Sequence, residues 1–144
     1  MKIAFKDCLI KKRIFRFKPA EHLVESEIED AESDLNSAED EFVKAGFKWA
    51  TIKGYYSMFH SARALLYSRG YREKGHYCLY LAIKEFFVKE GKLDSSLAED
   101  FNNCMVLREE ADYRRKFSQE GASATIKSAK RFLKEIKSIL KKPS

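Results

Sequence analysis

A chain of 144 residues, with 28 Lys/Arg against 22 Asp/Glu and a net charge of +6, is the size of one domain with one core, burying about 70% of the surface its unfolded form exposes. No apolar run of 18 residues occurs and the first 17 residues are punctuated by charge, which excludes a helical membrane span and points to a soluble, cytoplasmic protein. Cys8, Cys78 and Cys104 are odd in number and widely spaced, so neither a disulfide framework nor a zinc site is expected, and a reducing compartment is.

Charge is distributed in blocks. Residues 1–18 carry seven Lys/Arg against Asp7 and read as a basic N-terminal arm; residues 19–43 carry ten Asp/Glu and no base. Residues 19–142 read as a single bundle of five helices, with proline only at Pro19 and Pro143 to interrupt it. The first helix opens at Pro19 and keeps one stripe through Val24, Ile28, Ala31, Leu35, Ala38, Phe42 and Ala45, with Glu21, Glu25, Glu29 and Glu32 on its other face. Spacings of three and four throughout define a helix with one buried side. The second, about residues 49–69, is apolar almost all round and rich in aromatics (Trp49, Tyr55, Tyr56, Phe59, Tyr67), which makes it the central element. Gly54 inside it requires a close neighbour to repay its cost. The third spans about residues 76–90 and stops at Gly91; the fourth starts near residues 94–96, where Ser96 and Glu99 fit a capping box. The fifth, about residues 123–141, repeats Ile126, Ala129, Leu133, Ile136 and Leu140, with Lys127, Lys130, Lys134, Lys137 and Lys141 one step round. Solvated faces that neutralise one another and a working phosphate surface both fit this pattern of charge.

On the fourth helix, Leu97, Phe101, Cys104, Arg108 and Ala111 run in phase, so the apolar stripe reaches a guanidinium. A buried Arg cannot shed its proton and needs a partner. Asp112, one turn on, is the nearest. Either the two form a structural ion pair, or Arg108 faces a phosphate in a cleft, with Tyr113 stacking on a base or donating a hydrogen bond.

The segment GYYSMFHSARALLYSRGYREKGHYCL, followed by LREEADYR and a final amphipathic helix, resembles the HEPN superfamily, specifically its small single-domain prokaryotic members. The resemblance runs over nearly the whole chain and implies an all-α, up-and-down bundle of four to five helices that forms a homodimer. It also implies a small nucleotidyltransferase as partner in a toxin–antitoxin module. Many HEPN proteins are metal-independent ribonucleases built on an Arg, four to six spacers and a His, in which Arg stabilises phosphate charge and His moves a proton. Here Arg108 matches the Arg, but Tyr113 stands where the His belongs. In a related variant a tyrosine two residues further on accepts a nucleotidyl group; Arg115 occupies that position.

His76, after the basic loop RGYREKG, is the first candidate to replace the missing His; His60 reads as a hydrogen-bonded core residue and His22 as surface. There is no phosphate-binding glycine loop, no H-E-x-x-H and no di-iron carboxylate pattern, so neither a cofactor nor a metal is expected, and membrane binding by the lysine stripe is not favoured. The expected function is RNA or nucleotide binding through Arg108, Asp112, Tyr113 and Arg115. The alternatives are a dimeric ribonuclease using Arg108 with His76 or Tyr113, and an assembly module that touches only protein.

Overall fold

The structure, a computed structural model, describes residues 3–18 and 21–142. Six helices are numbered in chain order: α1 (Phe5–Ile10), α2 (Glu21–Val43), α3 (Phe47–Ser68), α4 (His76–Ile83), α5 (Ser95–Tyr113) and α6 (Gln119–Lys141). Two three-residue strands, β1 (Ile14–Arg16) and β2 (Tyr71–Glu73), pair antiparallel. This is the expected all-α bundle, with the five sequence-predicted helices appearing as α2 to α6. The proposed opening at Pro19 lies outside the described residues.

Helix α3 runs through the middle, packed against α2, α5 and α6. Its sequence dictates that place, since Tyr55 and Leu66 on one side and Ser57 and Ala64 on the opposite side are all fully buried. Gly54 explains how α6 fits: a Cβ there would stand 2.9 Å from the Thr125 methyl, so the Thr125 side chain packs directly on the α3 backbone. On α2 the stripe buries Ala31 and Ala38 completely, whereas Ala45 lies beyond the helix end in a left-handed turn (φ 63°). Lysines of α6 reach across to α2, Lys137 to Glu32 and Lys130 to Glu39. The acidic and basic blocks of the sequence therefore meet in part within one chain.

Three local details differ from the sequence reading. The cap of α5 is Asp94, whose carboxylate accepts from the Ser96 amide at 2.8 Å, and Glu99 accepts instead from the Tyr80 hydroxyl. Helix α6 starts at Gln119, one turn earlier than the apolar repeat indicates, because Ser118 caps it through the Gly121 amide. The third predicted helix is α4 followed by a π-helical turn over Lys84–Val88.

A larger correction concerns the cysteines. Cys8 and Cys78 form a disulfide, with Cα atoms 5.8 Å apart. A separation of 70 residues gave no spacing signal; the contact exists only because α1 docks on α4. Cys104 remains a buried thiol. Disulfide and strand pairing together hold the described part of residues 1–18 against the bundle.

Candidate functional site

Arg108 is 5% exposed, at the C-terminal part of α5. Its guanidinium carbon lies 5.3 Å from the Tyr55 ring, 5.7 Å from Tyr56 and 5.5 Å from Tyr113, so three phenols wall it. Such rings stabilise a cation without neutralising it. Its one hydrogen bond among the described residues runs from Nη1 to the Tyr113 hydroxyl at 3.3 Å. Asp112 stands 3.7 Å away, too far for a hydrogen bond, and its carboxylate is about one-third exposed. Nε is buried with no hydrogen-bond partner among the described residues. Of a guanidinium's five N–H donors, this one is unmet in a setting where that costs about 1–3 kcal/mol.

Helix α3 delivers the rest of the site. Tyr55, fully buried, stacks between Phe101 and His76, and its hydroxyl lies 2.6 Å from His76 Nδ1. Burial holds the Tyr55 phenol far above its ordinary value, despite the opposing pull of Arg108. The phenol therefore keeps its proton, and its contact with Nδ1 is a hydrogen bond whose direction follows the His76 tautomer, the hydroxyl donating when the ring hydrogen is on Nε2. His76 also stacks on Phe59 at 4.5 Å. Burial first, then Arg108 and Arg63, press its pKa down to about 4. At neutral pH it is an uncharged hydrogen-bond donor rather than a half-protonated acid or base.

Beside this cluster is a second polar network. Glu73, 4% exposed, holds Arg63 through two bonds of 3.1 and 2.7 Å, and Arg63 also meets Glu27. Glu27 accepts from His60 Nδ1, while Asp34 lies 3.5 Å from His60 Nε2. Burial disfavours charge on His60, but Glu27, Asp34 and Asp30 outweigh it and raise its pKa. For Glu27 burial pushes upward, and His60 with Arg63 bring it below the usual carboxylate range. Oxygen and nitrogen atoms of Glu27, Asp30 and His60 lie within 4.8 Å of one another. These contacts tie α2 to α3 and to β2, so His60 has the structural role expected of it.

Of the residues singled out in the sequence, Arg108, Asp112, Tyr113 and His76 are brought to one place around Tyr55. Arg115 is not among them: it lies past the end of α5, exposed, in a left-handed conformation (φ 54°). Sequence reasoning missed Tyr55 and Tyr56 as walls of the site, because on an all-round apolar helix they read as core. The adjacent Tyr55–Tyr56 pair was the available signal, since a phenol needs a polar partner when buried. Glu73 was missed for want of any pattern.

The sequence profile of the HEPN domain matches residues 24–140. A protein of Methanocaldococcus jannaschii described as a candidate toxin is 32% identical over 119 residues, covering 82% of this chain and 89% of its own. A second candidate toxin of that organism is 32% identical over 62% of this chain and 61% of its own. A UPF0332 protein of Archaeoglobus fulgidus is 29% identical over 83% of this chain and 96% of its own.

Proposed function

Because the chain belongs to the HEPN family, we propose that it is the toxin-type member of a toxin–antitoxin pair and binds RNA or a nucleotide at Arg108. One observation carries this reading: a buried cation that, among the described residues, has an unpartnered Nε, a single hydrogen bond to a phenol and a nearest carboxylate too far to hydrogen-bond. A phosphate oxygen supplies what is missing, since it accepts two parallel bonds from a guanidinium. Tyr113, 72% exposed, offers a ring to a base, and His76 offers Nε2–H to a second phosphate oxygen without adding charge. Asp112 pairs with Arg108 by charge at 3.7 Å without a hydrogen bond, so it does not occupy the donors that a phosphate would use. The work belongs to the cytoplasm, in a homodimer, with a small nucleotidyltransferase as the opposing partner; the two candidate toxins among the relatives support the toxin role.

Binding is favoured over cleavage by the condition of His76. Its Nδ1 is occupied by Tyr55 and its pKa is near 4, so it is poorly suited to move a proton at neutral pH. The test is fluorescence anisotropy with a labelled dinucleotide, alongside thermal melting. Replacing Arg108 by Met should weaken binding about thirtyfold, as loss of a charge-assisted bond of about 2 kcal/mol implies, while the protein stays folded. Equal affinity in Arg108→Met would overturn the site. Recovery of the protein from its native cell without a nucleotidyltransferase would remove the partner.

A further inference from the structure

Strand register sorts the side chains of the β1–β2 ribbon. Ile14 pairs with Glu73 and both are buried, Glu73 turning inward to Arg63. Phe15 pairs with Arg72, and because successive residues alternate between faces, Phe15, Arg72 and Lys74 share the opposite, outer face, while Phe17, just past the end of β1, packs its ring on Tyr67 of α3 at 5.3 Å. Arg13 joins them, for its carbonyl accepts from the Lys74 amide at 2.7 Å.

Cations and rings interleave on that face. The Lys74 ammonium is 5.4 Å from the Phe15 ring centre, and the Arg72 guanidinium is 5.3 Å from that of Phe17. Both rings are partly exposed, and Arg13 and Lys74 are exposed. Among the described residues none of Arg13, Arg72 and Lys74 meets a carboxylate, unlike Lys130 and Lys137 of α6, which α2 partly neutralises. The one acid in either strand, Glu73, is the residue turned inward.

We propose that the outer face of this ribbon is a docking surface for single-stranded RNA, with phosphates on Arg13, Arg72 and Lys74 and a base stacked on Phe15. The proposal rests on the reading of Arg108 as a phosphate site and extends it to a longer ligand. A positive track set with aromatic rings is what unpaired nucleotides need, because every base has a face to stack and every linkage a charge. Continuity selects the occupant. His76 follows Lys74 by two residues, about 7 Å of chain, so a strand lying on the ribbon leads directly to the Tyr55–His76–Arg108 cluster. A duplex presents no free base faces and an anionic bilayer presents no route to Arg108.

The experiment compares a labelled ten-nucleotide single-stranded RNA with a labelled dinucleotide, which is too short to span ribbon and Arg108 together. The proteins are the full chain, the triple variant Arg13→Gln, Arg72→Gln, Lys74→Gln, and Phe15→Leu. The triple variant should lose at least about tenfold in affinity for the ten-mer, and its log–log salt slope should fall by about 2, near 0.7 for each phosphate released. Phe15→Leu should lose about fivefold or more with the slope unchanged, as expected when one base stack is removed. Dinucleotide affinity should be unaffected in both. Melting curves coincident with the parent's show that each variant is folded; if Phe15→Leu melts lower, the exposed charge variant decides. Unchanged ten-mer affinity and slope in the triple variant overturn the ribbon while leaving Arg108 standing. Failure of the unaltered protein to bind either RNA overturns both. Binding to phosphatidylserine vesicles that the triple variant loses, with RNA affinity intact, assigns the surface to a membrane and sinks the proposal.

Discussion

Arg108 and His76 depend on each other through charge, and that dependence is measurable. His76 is pressed down to about 4 by burial first and by the Arg108 guanidinium second. Replacing Arg108 by Met keeps the bulk among Tyr55, Tyr56 and Tyr113 and deletes the charge, so His76 should titrate above its parent value. Proton NMR of the imidazole against pH reads this directly; an unmoved titration would mean that the two do not sense one another. The same variant should melt close to the parent or above it, because an apolar group of similar volume at a poorly paired buried charge is often neutral or stabilising. Residue by residue, the sequence disclosed Arg108 since it puts a charge in phase on an apolar stripe, and Asp112 and Tyr113 since they follow at four and five residues. It did not disclose Tyr55, whose hydroxyl matters only once His76 arrives from 21 positions away.

At the scale of elements, what was legible was what repeats. Helices α2, α5 and α6 announce themselves by apolar residues three and four apart over about four to six turns, and α3 by being apolar almost all round. The strands did not, for three residues of alternation in IFR and YRE are too few to separate from chance, and Arg16, Arg72 and the two flanking phenylalanines look like any basic loop. The disulfide was equally hidden: pairing depends on α1 meeting α4, a tertiary event. It closes 70 residues of chain, and by the loop-entropy account its reduction should cost about 4 kcal/mol. For 144 residues that is a drop of about 10–15 °C in melting temperature. A Cys8→Ala, Cys78→Ala variant should show the same loss without reductant. If reductant leaves the melting curve of the parent unchanged, α1 owes its place to the Ile14–Glu73 pairing and the core rather than to sulfur.

Over the whole molecule, the two half-buried histidines, His60 and His76, pull stability in opposite directions along the pH axis. His60 has a folded pKa above its ordinary 6.5 because Glu27, Asp34 and Asp30 of α2 face it and outweigh its burial. Its contribution is therefore complete below about pH 6.5 and is lost as pH rises through the folded value. His76, facing Arg63 of α3 and Arg108 of α5, has a folded pKa near 4. Between about 6.5 and 4 the unfolded chain takes up a proton that the folded chain refuses, so stability falls as pH falls, by at most about 3 kcal/mol. Glu27, held low against the upward push of burial, adds to the acid-side loss, whereas Asp34, raised by burial and by Asp30, opposes it. The sum is a stability maximum near pH 6.5 with both limbs assignable. Urea unfolding from pH 4.5 to 8.5 should show His76→Asn flattening the acid limb and His60→Gln flattening the neutral-to-alkaline one. An acid limb that His76→Asn leaves as steep as before would assign that limb to the carboxylates and place His76 where water, rather than Tyr55 and Phe59, sets its charge.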